Sequence, residues 1–326
     1  MKRALSIIAL LVAMVFVFAG CSSTPVPTIA DRWADGEEVF FKISLADENN
    51  VKDFETEILD YKEVAGAQVK PSKADGMLGY RVSKKDGNWV FEIEMYVAET
   101  YSTSQLPADW KSVLDDAEIT YEQNGSNVVI YSVMASQSVF GTVYNQSSPV
   151  SSMKEVVGVM VYYNEQIQPS LTVNNFKTST TYADGKATTK FEDKTGTVTN
   201  RQDETTVDLD DQFVFDNETL LLAIRSVDMA MLVEANTTNL VFFNSVNQKV
   251  EGVTVAIGSD SYKLDENSEK LTYRVGVSLD TVSAYSYYMY FEQSEKIAHP
   301  GGGIGAPIMQ QQLVAMNTGY LHFERI

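Results

Sequence analysis

From about residue 37 onward, runs that alternate apolar with polar residues recur, broken at short intervals by Gly, Asn and Asp. Strand side chains point to opposite faces with a period of two, so this pattern dictates a sheet with one dry and one wet face. It is plainest in Trp89 to Val97, where Phe91, Ile93 and Met95 alternate with Glu92 and Glu94. The turn Lys85-Asp86-Gly87-Asn88 separates that run from Leu78 to Val82, and Asn124-Gly125, Asp184-Gly185 and Thr195-Gly196 offer further hairpin turns. The same reading predicts strands at Val39 to Leu45, Ile119 to Glu122, Asn127 to Ser132, Val156 to Tyr163, Thr178 to Tyr182, Thr188 to Glu192 and Thr197 to Arg201. It continues with Leu240 to Val246, Val253 to Ile257, Leu271 to Leu279, Ala284 to Glu292 and Leu313 to Glu324. No Pro-rich linker interrupts residues 37–326, which predicts one large, mainly β domain built on an antiparallel sheet.

Two segments break the alternation. Asp216-Asn217-Glu218 offers a helix N-cap, and Leu220, Ile224, Val227 and Met231 follow at spacings of 4, 3 and 4, an apolar stripe that packs on a sheet or plugs a concave one. A shorter helix is expected from Pro107-Ala108-Asp109-Trp110 to Ala117. Some strands are apolar on both faces. In Tyr285-Ser286-Tyr287-Tyr288-Met289-Tyr290-Phe291 neither face is plainly wet, and Val156 to Tyr163 and Leu240 to Phe243 behave alike. Such strands need cover on the second face, from a helix, another sheet, a partner or an apolar ligand. The candidate ligand-lining residues are therefore Leu220, Ile224, Val227 and Met231 on the helix, with Tyr285, Tyr287, Tyr288, Met289 and Tyr290 on the aromatic strand.

The opening of the chain carries a different signal. Met1-Lys2-Arg3 is basic, Ala4 to Phe18 is apolar except for Ser6, and the run ends in Phe18-Ala19-Gly20-Cys21, which holds the only Cys. This resembles a bacterial lipobox, with Phe18 standing where Leu is usual. The resemblance implies that residues 1–20 form a signal peptide and that Cys21 carries a diacylglycerol and further acyl chains such as palmitate. Residues 21–36 become a flexible tether, with Pro25 and Pro27 and no periodicity. One acyl chain anchors marginally and two or more firmly, at about 0.8 kcal/mol per buried methylene. The residue after Cys21 is Ser22 rather than Asp, which by resemblance to lipoprotein sorting in two-membrane bacteria favours the outer membrane.

Composition narrows the chemistry. Against 44 Asp plus Glu stand 25 Lys plus Arg, a formal charge of −19, which repels nucleic acid and anionic headgroups alike. One Cys excludes an intramolecular disulfide and any multi-thiolate metal site, and two His leave little for a hydrolase. His322 is expected as an exposed or hydrogen-bonded strand residue, and His299 sits in the Gly- and Pro-rich loop His299-Pro300-Gly301-Gly302-Gly303, which lacks the Lys and following helix of a phosphate loop. Asp208, Asp210 and Asp211, and Asp47, Glu48, Asn49 and Asn50, read as solvated turns, and the pair Glu92 and Glu94 as surface charge. The sequence predicts no enzyme, no metal and no cofactor.

The order of elements after residue 150 resembles a family fold. Leu209 to Arg225, a strand end entering a capped helix, precedes strands at Leu240 to Val246, Val253 to Ile257 and Leu271 to Leu279. The aromatic strand follows, then a closing strand ending Tyr320-Leu321-His322-Phe323-Glu324. This succession resembles the β-clam of bacterial envelope proteins, an open half-barrel wrapped around a helix, shared by the periplasmic lipoprotein carrier and its outer-membrane receptor. The resemblance implies a lipid or other hydrophobic ligand on the concave face and a part in envelope assembly. The alternative is a structural lipoprotein with a filled core that binds an envelope protein partner and no ligand.

Overall fold

The computed structural model describes residues 34–46, 70–140, 151–164, 170–195, 202–209, 214–215, 237–244, 248–258, 272–279, 287–297, 308–318 and 320–326 of the 326-residue chain. Sixteen strands and one helix lie among them. The first half holds β1 (Glu37–Leu45), β2 (Lys73–Lys85), β3 (Asn88–Ser102), α1 (Trp110–Asp116), β4 (Tyr121–Asn124), β5 (Asn127–Phe140), β6 (Ser151–Asn164), β7 (Ser170–Ala183), β8 (Lys186–Asp193) and β9 (Glu204–Asp208). The second half holds β10 (Val214–Phe215), β11 (Thr237–Asn244), β12 (Lys249–Gly258), β13 (Thr272–Leu279), β14 (Tyr287–Ile297), β15 (Ile308–Thr318) and β16 (Leu321–Arg325).

All the strands belong to one sheet, in the order β10-β11-β12-β13-β14-β15-β16-β1-β2-β3-β5-β6-β7-β8-β9, with β4 pairing β5 off this path. Every ladder is antiparallel except the short parallel pair of β10 with β11. The first and last described strands meet in the middle, where β1 pairs β16 with Ile43 opposite Phe323. Hairpin chemistry sets the registers. Asp86 and Gly87 have φ of 52° and 80°, and Asp184 and Gly185 of 52° and 70°, the doubly left-handed pairs that match a two-residue turn to strand twist.

Connectivity forces the sheet to curl. Laid flat, the fifteen strands of the path would set β9 and β10 about 67 Å apart. These two edge strands are joined through Asp208 and Val214, six residue steps that span at most about 21 Å. The sheet is thus open yet bent back until its edges come close, the open half-barrel that the alternation and the element order predict.

The concave face is the dry one. Along β2, Ala74, Leu78, Tyr80 and Val82 are buried while Lys73, Asp75, Met77 and Arg81 are exposed. Tyr80 bridges an aromatic ladder on this face, 6.0 Å from Phe41 and 5.4 Å from Phe91 between ring centroids. Helix α1 fills a gap where the sheet splays. Up to Ile130, β5 pairs on one side with β4, and only from Val133 onward with β6, so the far ends of β6 and β7 part from β5. Trp110 and Leu114 enter that wedge and pack with Val128, Ile130 and Val173, and Val159 and Val161 lean on the same cluster. This answers one question posed by the doubly apolar run from Val156: α1 helps to cover Val159 and Val161, while Val157 stays exposed.

Several strands run longer than their apolar cores suggest, one expectation needs correction and one strand was not foreseen. The run Leu313 to Glu324 is two strands, β15 and β16, because the chain reverses after Thr318 and pairs Thr318 with Leu321. The strand β9 went unpredicted because Glu204-Thr205-Thr206-Val207-Asp208 has almost no apolar alternation. The predicted strand Thr197 to Arg201, the turn Thr195-Gly196 and the helix Leu220 to Met231 lie outside the described residues, in whole or in part.

Candidate functional site

Residues directly opposite in a ladder share a face, so the registers can be read across the sheet as ranks. One rank of the concave face is Phe91, Ser138, Lys154, Thr180, Thr189 and Thr205, on β3, β5, β6, β7, β8 and β9 in turn. After Phe91 every member is polar. Ser138, Thr180 and Thr189 are fully buried and Lys154 is only 3% exposed. Lysine is seldom buried so completely, since its ammonium brings three donors and a charge that water solvates better than protein.

Hydrogen bonds run along the rank. Thr180 Oγ1 and Thr189 Oγ1 lie 2.8 Å apart. Thr205 Oγ1 donates to Gln248 Oε1 at 3.1 Å, and Gln248 Nε2 donates to the Gln202 carbonyl at 3.1 Å. Gln248 leads into β12, near the opposite edge of the sheet, so its side chain ties the two edges together. It does so from a left-handed backbone, φ 54°, uncommon for a residue with a Cβ.

An apolar patch flanks the rank. Val156, Phe176 and Phe191 form a buried cluster with Met134 and Met160 against it, and the Phe176 and Phe191 rings stack at 6.1 Å. The ring of Phe176 lies on Gly158, where an added Cβ would come within 2.8 Å of it, so glycine is what lets the ring lie flat. Between rank and patch stands Thr178, paired with Val156 on one side and Phe191 on the other. Its hydroxyl is fully buried and has no hydrogen-bond partner.

A second polar group lies at the other end of β3. The Glu99 carboxylate is 5% exposed and accepts hydrogen bonds from Tyr101 Oη at 3.0 Å and from Tyr320 Oη. Burial holds its pKa above the usual carboxylate range, and the two phenols pull the other way. Burial and the nearby carboxylate likewise push the Tyr320 phenol well above its ordinary value. Ala74 faces Glu99 across the β2–β3 ladder and Gly76 follows it on the same face, where an added Cβ would come within 2.2 Å of the Tyr96 carbonyl oxygen. Among the described residues no three His, Cys, Asp or Glu side chains converge as a metal site would require.

The sequence-predicted site residues fare unevenly. Cys21, Leu220, Ile224, Val227, Met231 and Tyr285 lie outside the described residues. Tyr287, Tyr288, Met289 and Tyr290 stand in register in β14, opposite Val277, Gly276, Val275 and Arg274. Met289 is buried. His322 is the hydrogen-bonded strand residue expected, buried with Nδ1 2.6 Å from Asn317 Oδ1. Glu92 and Glu94 fall on the convex face, where Gln137 Nε2 donates to Glu92 Oε1 at 2.6 Å. Asp208 is exposed, whereas Asp210, Asp211, His299 and residues 47–50 lie outside the described residues. Sequence reading missed Lys154 because the strand was started at Val156; carried two residues back, the alternation places Lys154 on one face with Val156, Gly158 and Met160. It missed Glu99 for the mirror reason, ending β3 at Val97.

The chain matches no protein-family profile and no curated protein. Among solved structures it is similar to a beta-barrel-like protein of the domain of unknown function DUF1849 from Brucella abortus, with 11% identity, a TM-score of 0.44 and coverage of 90% of this chain and 97% of that one.

Proposed function

We propose that the chain is an exported bacterial lipoprotein, anchored at the outer membrane through an acylated Cys21, whose curled sheet takes up a lipid or other hydrophobic ligand during envelope assembly. The role is binding rather than catalysis. One observation carries the reading: the concave wall pairs an apolar patch of Phe176, Phe191, Met134 and Met160 with a dry polar rank, the division of labour an amphipathic ligand needs. Methionine at such a wall adapts to ligands of irregular shape.

Native mass spectrometry on residues 34–326, exported to a bacterial periplasm and purified without detergent, tests it. A stoichiometric adduct released on denaturation as a lipid supports the carrier reading. A bare polypeptide that takes up neither palmitate nor phospholipid sinks it. The anchor is tested separately, since Cys21→Ala should abolish incorporation of labelled palmitate.

A second reading is favoured by the convex face, where Phe40, Met77, Tyr96, Val133 and Val157 are exposed on neighbouring strands and Tyr96 stacks on Tyr131 at 5.7 Å. An apolar strip of this kind suits a protein partner in the envelope. A ligand-free protein that pulls down one stoichiometric partner, with the interaction lost in Tyr96→Glu, would favour it over the carrier.

A further inference from the structure

We infer that the exposed apolar strip of the convex face rests on the bilayer that holds the acylated Cys21, so that the anchored domain lies against the membrane. The inference rests on the lipoprotein reading and adds a docking surface and its occupant, a zwitterionic lipid surface.

Two neighbouring ranks of the convex face carry the strip. In one, Met77, Tyr96 and Val133 stand directly opposite one another on β2, β3 and β5. In the next, Phe40 faces Gly79, Glu94 and Ala135 follow, and Val157 closes the rank on β6. The five large apolar members are each 40–47% exposed. Gly79 brings the Phe40 ring down across β2, since an added Cβ would come within 3.0 Å of two ring carbons. Glu94 is the one acid in these two ranks, and Arg81 lies close enough to feel its charge.

Area and position name the occupant. Five strands about 4.8 Å apart and two ranks each about 6.6 Å deep make on the order of 300 Å². A protein contact of standard size takes about 800 Å² from each partner, so the strip is too small to hold a freely diffusing protein by itself. A tether removes that demand, because a surface to which the chain is already linked is met at high effective concentration. Cys21 stands sixteen residue steps before Glu37, so the anchor point lies at most about 58 Å from the start of β1. Phe40 comes three residues after Glu37, which sets the strip beside the point where the anchored chain enters the sheet. Tyrosine suits such a place, with an apolar ring and a polar tip that settle at a membrane interface. The formal charge of −19 and the neighbouring Glu38, Glu92 and Glu155 select zwitterionic over anionic lipid.

The experiment uses the chain as bacteria mature it, reconstituted in phosphatidylcholine vesicles, with a fluorophore on Val133→Cys or, as reference, on Lys186→Cys at the exposed start of β8. With Cys21 acylated, the introduced thiol is the only free one, and intact mass reports the acyl chains. Doxyl-labelled phosphatidylcholine should quench the label at position 133 and leave the one at position 186 bright. Tyr96→Glu should abolish that quenching while the protein stays on the vesicles, because the anchor persists. These positions are exposed, so the substitutions leave the core intact. Equal quenching at both positions, or none at either, overturns the docking while the anchor stands. A label at position 133 that stays bright in lipid alone and is shielded only by added envelope proteins overturns it in favour of a protein partner. A mature chain without acyl mass removes the lipoprotein reading and this inference with it.

Discussion

Two rows cross the same strands one residue apart and could hardly differ more. On the convex face run Glu38, Arg81, Glu92, Gln137, Glu155, Ser179, Lys190 and Glu204; on the concave face their sequence neighbours Glu37, Val82, Phe91, Ser138, Lys154, Thr180, Thr189 and Thr205. The outer row is a chain of solvated contacts: Arg81 with Glu38, Gln137 with Glu92, Ser179 and Lys177 with Glu155, Lys190 with Glu204 at 3.9 Å. The inner row has fewer charges, and each polar atom in it is expensive. The pairing geometry is shared, so what separates the rows is water: the same chemistry is cheap on one side of the backbone and consequential on the other.

The comparison can be pushed hardest at Phe91, fully buried at the apolar end of the inner row and stacked on Tyr80. Phe91→Ala should cost about 3–5 kcal/mol, read from urea denaturation, whereas its outer neighbour Glu92→Ala should move the midpoint little. Equal effects would mean that the two faces are not the dry and wet sides described.

Next come the hydroxyls. Thr180→Val removes a bond to Thr189 inside the wall and should cost about 1–2 kcal/mol. Thr178→Val removes a hydroxyl with no partner and should be neutral or stabilising in ligand-free protein. The opposite order of the two midpoints would refute the assignment of which hydroxyl is satisfied.

Glu99 sharpens the contrast through pH. Its folded-state pKa is raised by burial, so its contribution to stability is complete below the ordinary carboxylate pKa, near 4.3, and is lost as pH rises through the folded value. Relative to Glu99→Gln, the unaltered protein should therefore lose stability as pH is taken from 4 to 8. Parallel profiles would show that the carboxylate titrates normally. The smallest effect is expected at Arg81, whose ion pair with Glu38 is exposed: Arg81→Ala should leave the thermal midpoint unchanged at 0.15 M salt and lower it slightly, if at all, in dilute buffer.

Much of the fold was legible because alternation and left-handed turn residues are local signals. Trp89 to Val97 with the turn at Asp86-Gly87 shows it, since one dry face and one two-residue turn fix β2 and β3 in register. What escaped notice was polar residues acting as core. Lys154 and Glu99 each fall two residues outside the predicted strands because a charge normally marks the exit to solvent, and Glu204 to Asp208 drew no strand prediction because an edge strand has little apolar surface to advertise. The candidate site was correspondingly less legible than the fold. Its members come from five strands, and only the long-range registers bring Ser138, Lys154, Thr180 and Thr189 into line.

The pairing of β1 with β16 also sets a schedule. All other ladders join strands that follow one another in the chain, or nearly so, and each of these can zip as soon as its turn has emerged. The ladder at the middle of the sheet cannot: Ile43 waits for Phe323, 280 residues further along the chain. Until then β1 is a bare edge that carries Val39 and Phe41, able to capture a strand of another chain in place of its own. Strand β16 thus acts as the clasp of the molecule, and synthesis halted shortly before Leu321 would leave two meanders joined, among the described residues, only through the step from Asp208 to Val214 and the contacts of Gln248.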